Sequence, residues 1–466
     1  MTNKIKRIAL IQVTRPFVAR PEIGLGTGYL KAYIEHRWPG RFSIDIFDST
    51  DAYNVVLANV ESYDFVGLSS VTQLYGVAID IAKKLKEAKP SIVINIGGAH
   101  ITAIPESLDL AFDTAVLGEG EISFSDLVDA EDRGLSRSEI LSIPGIAGRN
   151  EDGSLSMGPK RKYISNLDDI PFPIRDIFNK YRAVPSLITS RGCPYDCEFC
   201  TNRIMWTRSV RRPQPKRVVD EICHLMEHVE DIRVIVFRDD ILFLTTEYLK
   251  RVVSHAMKYA PQVIEIPKVI YSHVNVMQDP EFVMLLQEFG VVKALCGFES
   301  ASERILKILK SGRVTTEQNQ KAIDVCHSLG MEIGGNLIIG TPYEDRQDLI
   351  ASYEFASKNV QDGKVGAFST SILTPFPGSK YWDSFVGPDF DPLNFNWGCL
   401  DELAFSTYWQ DTKGGGHIED WWKKRNEQGN PYLGKLPEYE FLQLVDKYEP
   451  PLLAAQEEYL RKDKKY

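Results

Sequence analysis

Short apolar runs alternate with helical patterns in two separate series along the chain. In the first series, helices are predicted at about 28–37 and 74–88 and after Glu121. The predicted strands are residues 8–12, 42–47, 65–69, 92–96 and 114–117. Strands that alternate with helices pair in parallel, with helices covering both faces of the sheet. The pattern therefore predicts an α/β domain with a doubly wound, Rossmann-like parallel sheet.

The second series begins at residue 185 and contains six strand–helix units. Its predicted strands are residues 186–190, 234–237, 269–275, 292–297, 333–339 and 364–372. Its predicted helices are residues 216–229, 245–259, 280–289, 301–309, 316–329 and 346–358. A closed (β/α)8 barrel has eight such units. Six units predict a partial (β/α)6 barrel.

The remaining stretches divide the chain into four predicted segments. Between the two series lie a hairpin turn at 150–153 and the proline-rich Ile170-Pro-Phe-Pro-Ile-Arg175, which favours an extended path. We predict a first domain at 1–135, a linker at 136–184, a barrel at 185–382 and a carboxyl-terminal region at 383–466. From Trp382 on lie five of the seven tryptophans, around a break at 414–416: Trp382, Trp397, Trp409, Trp421 and Trp422. This aromatic-rich region either covers a substrate pocket or only packs.

Composition restricts the class of protein. A chain of 466 residues holds two or three domains, and 43% hydrophobic with 25% charged residues is ordinary for a globular protein. The net charge of −10 argues against a nucleic-acid-binding surface. The sequence contains no run of eighteen apolar residues, the length that a membrane span needs. Its amino terminus leads into a strand without a signal-peptide core. We expect a cytoplasmic protein.

The sequence Arg191-Gly-Cys-Pro-Tyr-Asp-Cys-Glu-Phe-Cys200 is the main candidate for chemistry. Three thiolates, Cys193, Cys197 and Cys200, can hold three irons of a cubane cluster, whereas clusters that only carry electrons normally have a fourth cysteine. The open iron can then bind a substrate or cofactor. A structural zinc site is the alternative, but it needs a second pair of cysteines that the sequence lacks.

The other four cysteines are scattered, and seven is an odd number, so the pattern does not indicate a disulfide framework. Their apolar or aromatic surroundings predict buried thiols. These residues are Cys223, Cys296, Cys326 and Cys399.

The Cys-x3-Cys-x-Phe-Cys spacing, with Phe199 as its aromatic residue, resembles the signature of the radical S-adenosylmethionine (SAM) superfamily. The resemblance implies a [4Fe-4S] cluster whose open iron holds SAM. One electron from the cluster then cleaves SAM to a 5′-deoxyadenosyl radical, which abstracts hydrogen from unactivated carbon. It also implies a low-potential electron donor such as flavodoxin or ferredoxin.

The same resemblance implies SAM contacts at the carboxyl ends of the barrel strands, where barrel chemistry gathers. The Asp-Asp pair at 239–240 follows the second strand, at the place where many members contact the SAM amino group; an exposed turn is the alternative. Glu299 corresponds to a polar residue near the ribose, and Gly340 to a close approach of the adenine. Alternation predicts that Tyr271, His273 and Asn275 share one face of the third strand, facing either a ligand or an internal network. The implied SAM contacts are Phe199, Asp239, Asp240, His273, Glu299, Ser300, Asn336 and Gly340.

Small, polar and glycine-rich residues follow the strands of the first series. Such turns let a backbone approach a large planar or phosphate-bearing ligand, although tight turns also need glycine for steric reasons. With the segment 21–30, they resemble the cobalamin (B12)-binding domain that precedes many radical SAM barrels. The implied cobalamin contacts are Gln12, Ser69, Ser70, Val71, Thr72, Gly97, Gly98, His100, Gly118, Glu119 and Gly120.

Two features of this resemblance are unresolved by the sequence. The motif Asp-x-His-x-x-Gly, which supplies an axial histidine in other cobalamin proteins, is absent: none of the eight histidines has Asp two positions before it. Radical SAM members of this group commonly lack the motif as well. His100 either lines the cofactor or caps a helix and bonds a backbone carbonyl.

These patterns lead to one main functional hypothesis. The chain is predicted to be a cobalamin-dependent, class B radical SAM methyltransferase that acts on an unactivated carbon of a small molecule, natural-product-like or lipid. A radical SAM cyclase, mutase or oxidative enzyme without methyl transfer is the alternative. A cobalamin- or cluster-based sensor is the alternative that is not an enzyme.

Overall fold

The structure is a computed structural model that describes residues 5–14, 25–206, 208–401, 405–412 and 417–462. Within these residues, thirteen strands form two separate sheets. Both sheets are built mainly from parallel strands that alternate with helices. The predicted α/β class is therefore confirmed.

The first sheet has the strand order β2-β1-β3-β4-β5-β6-β7. Its strands are β1 (Lys6–Gln12), β2 (Phe42–Asp48), β3 (Phe65–Ser69), β4 (Val93–Gly97), β5 (Thr114–Val116), β6 (Ile146–Arg149) and β7 (Leu155–Met157). Strands β1 to β5 pair in parallel, and their main helices are Gly26–Arg37, Tyr75–Ala88 and Gly120–Asp132. In this order the winding reverses between β1 and β3, where sheets of this type bind ligands at the carboxyl ends of their strands.

Two strands of this sheet fall inside the predicted linker. Strands β6 and β7 pair antiparallel with each other, and β6 pairs antiparallel with β5. The predicted turn at 150–153 does connect them, closed by a hydrogen bond from the Gly153 N–H to the Asn150 carbonyl at 3.0 Å. The segment 136–184 is thus partly an extension of the first sheet, which its short strands did not reveal in the sequence.

The second sheet has its strands in sequential order, from β8 to β13. They are β8 (Ser186–Leu187), β9 (Ile235–Phe237), β10 (Lys268–Ser272), β11 (Val291–Glu299), β12 (Glu332–Ile339) and β13 (Phe368–Ile372). The helices that follow them include Pro215–His228, Thr246–Tyr259, Pro280–Glu288, Glu303–Leu309, Thr316–Ser328 and Arg346–Gln361. Sequential parallel strands with intervening helices form the predicted partial barrel.

Helix starts in the barrel follow from local sequence. Thr315 and Asp345 are the N-caps of Thr316–Ser328 and Arg346–Gln361, and each forms a capping box with the residue three positions on. The side chains satisfy backbone N–H groups that have no partner within the helix. These boundaries agree closely with the predicted helix starts.

Three strand predictions are wrong in their boundaries. The first barrel strand is Ser186–Leu187 and does not reach residue 190, because the Thr189 and Ser190 N–H groups bond Asp239. The third strand ends at Ser272, because His273 caps the short helix Val274–Met277 by accepting the Asn275 N–H at 3.3 Å. The predicted alternation of 271, 273 and 275 on one strand face therefore does not occur. The sixth strand begins at Phe368 and not at residue 364, because the N–H groups of residues 364 and 365 bond the Asn359 carbonyl at the helix end.

Contacts group the chain into two compact units. The first contains Met1–Ile188, Thr201–Ile232 and Asp383–Gly398. The second contains Thr189–Cys200, Arg233–Trp382 and Cys399–Tyr466. The three cysteines of the motif therefore belong to the second unit, while the helix that follows them belongs to the first.

The carboxyl-terminal region is divided between the units, with Asp383–Gly398 in the first and Cys399–Tyr466 packed within the second. Trp421 and Trp422 are buried with their ring centroids 5.7 Å apart. The long helix Glu438–Lys462 covers β13: Gln456 accepts the Phe368 N–H, and Glu449 accepts the Thr370 hydroxyl at 2.5 Å. The side chains of this helix thus bond backbone and side chains of an edge strand. The predicted break at 414–416 lies outside the described residues.

Three of the four scattered cysteines are buried as predicted, and Cys223 is partly exposed, so that prediction is wrong for Cys223. None of the helices in the described ranges is long and apolar enough to cross a membrane.

Candidate cofactor sites

The cysteine loop is held in place by side chains from the barrel. Lys380 forms an ion pair with Glu198 at 2.5 Å, between Cys197 and Cys200, and the Glu198 N–H bonds the Leu309 carbonyl at 3.0 Å. A turn closes the loop, with the Cys200 N–H donating to the Cys197 carbonyl at 3.2 Å. The three thiols are all partly exposed. Such a loop offers three cysteine ligands on a fixed backbone.

The thiols of Cys193 and Cys197 are largely shielded from water and lie near the positive charge of Lys310. Burial raises the pKa of Cys193 to about 11 and of Cys197 to about 12, while the positive charge of Lys310 lowers both. Among the described residues, no three His, Cys, Asp or Glu side chains could hold a single metal ion. A cubane differs, because each cysteine binds a separate iron.

Lys310 is a residue that the sequence did not single out. Its ammonium pairs with Glu299 at 2.8 Å, and both side chains are less than a tenth exposed. Desolvation lowers the pKa of Lys310, but the charges of Glu299 and Cys197 and the hydrogen bond to Glu299 together raise the pKa above its ordinary value. The ammonium also lies 6.0 Å from the ring centroid of Phe199 in the cysteine loop. Lys310 is thus a buried cation next to the loop.

Glu299 occupies an unusual backbone conformation. Its φ is +60°, and the pairing of β11 with β12 shifts register between Gly297 and Glu299, as in a β-bulge. A Cβ added at Gly297 would collide with the Glu299 carboxylate, so a larger residue there would displace that carboxylate. Left-handed non-glycine residues cost about 1–3 kcal/mol and occur at functional sites. The predicted ribose contact is therefore a carboxylate on a bulged strand end.

The two predicted aspartates differ sharply in environment. Asp239 is buried and accepts hydrogen bonds from Thr189 and Ser190, whereas Asp240 is partly exposed. Burial raises the pKa of Asp239 to about 6, although the hydrogen bonds oppose this shift. The pair is therefore not an exposed turn. Asp239 accepts its hydrogen bonds from the two residues that precede the cysteine motif.

His273 and Asn275 meet at the cysteine loop although they do not share a strand face. The ring of Tyr195 stacks on His273 with centroids 3.8 Å apart, and the Tyr195 hydroxyl lies 3.5 Å from the Asn275 amide nitrogen. Burial lowers the pKa of His273 to about 3, so its imidazole is neutral. Tyr195, inside the cysteine motif, is another residue that the sequence reasoning missed.

The remaining predicted SAM residues are not equivalent. Asn336 is exposed on β12, while Ser300 is fully buried and bonds the Ser352 hydroxyl at 3.1 Å. Gly340 has φ of +69°, and a side chain there would lie 3.1 Å from the Tyr432 ring. Glu344, buried and with its pKa raised to about 8 by desolvation, accepts the Gly340 N–H at 2.6 Å. The structure thus surrounds Gly340 with protein groups, and it turns Ser300 toward a helix.

Several buried polar atoms near the strand ends have no hydrogen-bond partner within the described ranges. They include Ser272 Oγ, His273 Nε2 and Asn275 Oδ1 after β10, and Thr341 Oγ1 after β12. An unsatisfied buried polar atom costs about 1–3 kcal/mol. A polar ligand such as SAM would supply the missing partners, so these residues fit it.

In the first unit, the predicted cobalamin residues lie side by side at the carboxyl ends of the strands. Gln12 pairs with Ser69, and Ser69 pairs with Gly97, in one row across β1, β3 and β4. Gly118 has φ of +77°, and a Cβ added there would meet no atom within 4 Å among the described residues, so the backbone is open to a ligand. At Gly98 a side chain would instead lie 2.5 Å from the Ser70 carbonyl. The turn at Gly118 fits a ligand, and the turn at Gly98 has a steric reason for glycine.

His100 is buried in an aromatic cluster. Its Nδ1 lies 3.3 Å from the Thr72 hydroxyl and its Nε2 lies 3.0 Å from the Ser107 hydroxyl. The ring lies 4.0 Å from Tyr75 and 4.4 Å from Trp397, centroid to centroid. Its ring nitrogens thus contact two hydroxyls and not a backbone carbonyl, and its role as a cobalamin contact stays a prediction.

The other predicted cobalamin residues are Ser70, buried, Val71, exposed, and the pair at 119–120. Glu119 forms an ion pair with Arg211 at 2.9 Å and accepts the Ile164 N–H at 2.8 Å. Gly120 begins the helix Gly120–Asp132. Near this edge, Thr14 Oγ1 and Thr27 Oγ1 are buried without partners among the described residues, which fits a polar ligand. Residues 21–24 of the motif lie outside the described part.

Two stretches of the chain match known family models. Residues 187–356 match the radical SAM superfamily, and residues 24–128 match the B12 binding domain. The chain belongs to the radical SAM superfamily and carries a B12-binding domain, which confirms the predicted family. Its cofactors are accordingly a [4Fe-4S] cluster, SAM and cobalamin.

Particular relatives refine this class. An uncharacterized methyltransferase of Pyrococcus horikoshii is 31% identical over 343 residues, 72% of each chain. The anaerobic magnesium-protoporphyrin IX monomethyl ester cyclase of Rubrivivax gelatinosus is 28% identical and covers 71% of this chain and 61% of its own. The radical SAM methyltransferase TsrM of Kitasatospora setae, solved with cobalamin and a [4Fe-4S] cluster, superposes with a TM-score of 0.66 at 17% identity, covering 80% of this chain and 74% of its own. That last likeness concerns the fold.

Proposed function

We propose that this chain is a cobalamin-dependent radical SAM methyltransferase that methylates an unactivated carbon of a small molecule. The observation that carries the proposal is the combination, in one chain, of a three-cysteine loop beside a buried cation and a B12-binding sheet with an open glycine turn at Gly118. When bound, the cluster would supply one electron to SAM, and cobalamin would supply a methyl carrier.

The chain's own residues would bind, orient and shield these groups. Cys193, Cys197 and Cys200 would hold the cluster and leave one iron free for SAM. Lys310 would offset the negative charge of three thiolates in a place with little water. Glu299 and the unpaired Nε2 of His273 would orient SAM. Such positioning lowers the entropic cost of bringing reactants together.

The net reaction balances with two SAM molecules and two electrons per turnover. One SAM gives its methyl group and leaves as S-adenosylhomocysteine. The other takes an electron, releases methionine and becomes 5′-deoxyadenosine after removing hydrogen from the substrate carbon. The electrons would come from a low-potential donor of the flavodoxin or ferredoxin class, and the oxygen-labile cluster suits the reducing cytoplasm.

Methyl transfer is favoured over cyclisation by the relatives. The Pyrococcus horikoshii relative is named a methyltransferase and shares 31% identity over 72% of both chains, while the cyclase shares 28% and matches over 61% of its length. We propose a natural-product-like or lipid substrate, a class suited to radical attack on unactivated carbon.

The test is anaerobic reconstitution with iron, sulfide and cobalamin, followed by addition of SAM, a reductant and small-molecule or lipid extracts. We expect cluster and corrin absorption, 5′-deoxyadenosine and S-adenosylhomocysteine, and a labelled product from methyl-labelled SAM. The Cys197→Ala variant should keep corrin bands and lose 5′-deoxyadenosine. Cys223→Ala, in the first unit, is the matched control and should retain both.

Three results would contradict the proposal in different ways. If the protein shows cluster absorption but no corrin bands, the proposed dependence on cobalamin is wrong. Formation of 5′-deoxyadenosine and a rearranged product, without S-adenosylhomocysteine, indicates a cyclase or mutase. Absence of reductive SAM cleavage would leave a sensor.

A further inference from the structure

Asp239 makes an unusually complete set of contacts with the two residues that begin the cysteine segment. It follows β9 and accepts the Thr189 N–H at 3.1 and 3.2 Å, one distance to each carboxylate oxygen. It also accepts the Ser190 N–H at 2.5 Å and the hydroxyls of Thr189 and Ser190 at 3.1 and 2.6 Å. Two backbone and two side-chain donors from adjacent residues therefore converge on one carboxylate.

These contacts leave Asp239 little capacity for another ligand. Its residue is only 2% exposed, and within the described ranges all its hydrogen bonds go to Thr189 and Ser190. Four of the five contacts fall on Oδ1, which is therefore saturated, while Oδ2 accepts only the shared Thr189 N–H. Because the residue is buried, a ligand's ammonium could reach only Oδ2, beside the N–H that already donates to it.

The residues bonded by Asp239 lie directly before the cluster ligands. Cys193 is three residues after Ser190 in the chain. At the far end of the same segment, Glu198 is held by Lys380 and by the Leu309 carbonyl. The segment is thus fixed on both sides of Cys193 and Cys197, once by the end of β9 and once from the later part of the barrel.

We propose that Asp239 is a positioning residue that sets the backbone of the cluster loop, and that it does not bind SAM. This inference rests on the proposed function, because it presupposes that the loop holds a cluster. It differs from the expectation that both aspartates contact SAM. Charge-assisted bonds to consecutive N–H groups are strong and directional, so they suit this role.

The test compares iron and sulfide content, and the EPR spectrum of the reduced cluster with and without SAM, in a set of variants. Asp239→Ala removes the acceptor, and Asp239→Asn keeps its shape without the charge. Thr189→Val and Ser190→Ala remove only hydroxyl donors. Asp345→Ala is the matched control, since Asp345 also accepts two backbone N–H groups, at 3.0 and 3.2 Å, away from the loop.

We expect Asp239→Ala to hold at least threefold less iron than wild type after the same reconstitution. Asp239→Asn should hold an intermediate amount, with an altered EPR spectrum before SAM is added. The hydroxyl variants should shift iron content in the same direction by a smaller amount, and Asp345→Ala should load normally. If Asp239→Ala does not fold, the iron contents of Asp239→Asn and of the two hydroxyl variants test the proposal instead. Contents below that of wild type support it, and wild-type contents refute it.

The opposite result is equally distinct. If the Asp239 variants keep wild-type iron content and SAM-free EPR spectra and lose only the spectral change caused by SAM, Asp239 is a SAM ligand and the inference is wrong. If wild type itself forms no cluster under any reconstitution, the proposed function fails instead. Cobalamin binding by each variant serves as a separate check that the first unit is folded.

Discussion

Replacing Lys310 with methionine tests whether the buried ion pair supports the strained end of β11. The pair joins the ammonium of Lys310 to Glu299 at 2.8 Å, with side chains 6% and 7% exposed. Methionine has nearly the volume of lysine but no charge, so the change leaves a buried carboxylate unpaired. Removing one partner of a buried pair costs about 3–5 kcal/mol. We expect Lys310→Met to destabilise the second unit by that amount.

An exposed pair provides the control. Lys358 and Asp362 lie 2.9 Å apart with side chains 73% and 38% exposed, and such pairs contribute less than about 1 kcal/mol. Lys358→Met should therefore change stability little. Adding Glu299→Gln to Lys310→Met removes the stranded charge, so the double variant should recover part of the loss.

Hydrogen exchange of peptides that cover β11, in metal-free protein, measures the opening free energy of this strand without assuming one transition for the whole chain. Urea unfolding provides a second measurement. The reasoning is refuted if Lys310→Met lies within about 1 kcal/mol of wild type, the size of an exposed pair, or if the double variant is less stable than Lys310→Met. Either result would mean that the Glu299 carboxylate finds water or a proton when the ammonium is removed.

Three further predictions concern the first unit. Arg175 and Glu221 form a 2.7 Å pair with side chains 0% and 2% exposed, so Arg175→Met should cost about 3–5 kcal/mol by urea unfolding, and Arg175→Met with Glu221→Leu should recover most of it. Burial lowers the pKa of His100 from 6.5 to about 3, so its unfolded state binds more protons below pH 6.5; His100 should therefore contribute about 2 kcal/mol to the loss of stability from pH 7.5 to pH 5, and His100→Gln should reduce the loss by that amount in urea titrations. Gly118→Ala should cost about 1–2 kcal/mol for its left-handed φ, whereas Gly98→Ala should lower the thermal midpoint further, because its side chain would clash with the Ser70 carbonyl; equal shifts would contradict this.

The element pattern was largely predictable from local sequence. Strand β3 was predicted at its observed bounds, and the helices beginning at Thr316 and Arg346 were predicted to begin there. Predictions failed where a residue could end one element and begin another. His273 continued an apparent alternation, but its ring accepts a backbone N–H and starts a helix. Alternation alone does not distinguish a strand residue from such a cap.

Short antiparallel strands were the other failure. Strands β6 and β7 have four and three residues, too few for a clear period, and they complete a sheet whose other strands lie far earlier in the chain. Their place depends on pairing with β5, which no local pattern shows. The predicted linker therefore contained part of the first sheet.

The sequence by itself identified the superfamily, because the three cysteines lie within eight residues and their spacing resembles its signature without help from distant parts of the chain. Only the tertiary structure decided which charges surround them. Asp239 meets residues fifty positions earlier, and Lys380 meets Glu198 from 182 positions later. Such contacts depend on how barrel strands and helices converge at one edge. The Asp-Asp pair at 239–240 predicted two SAM contacts. The sequence could not show that one of the pair, Asp239, is hydrogen-bonded to the residues before the cysteines.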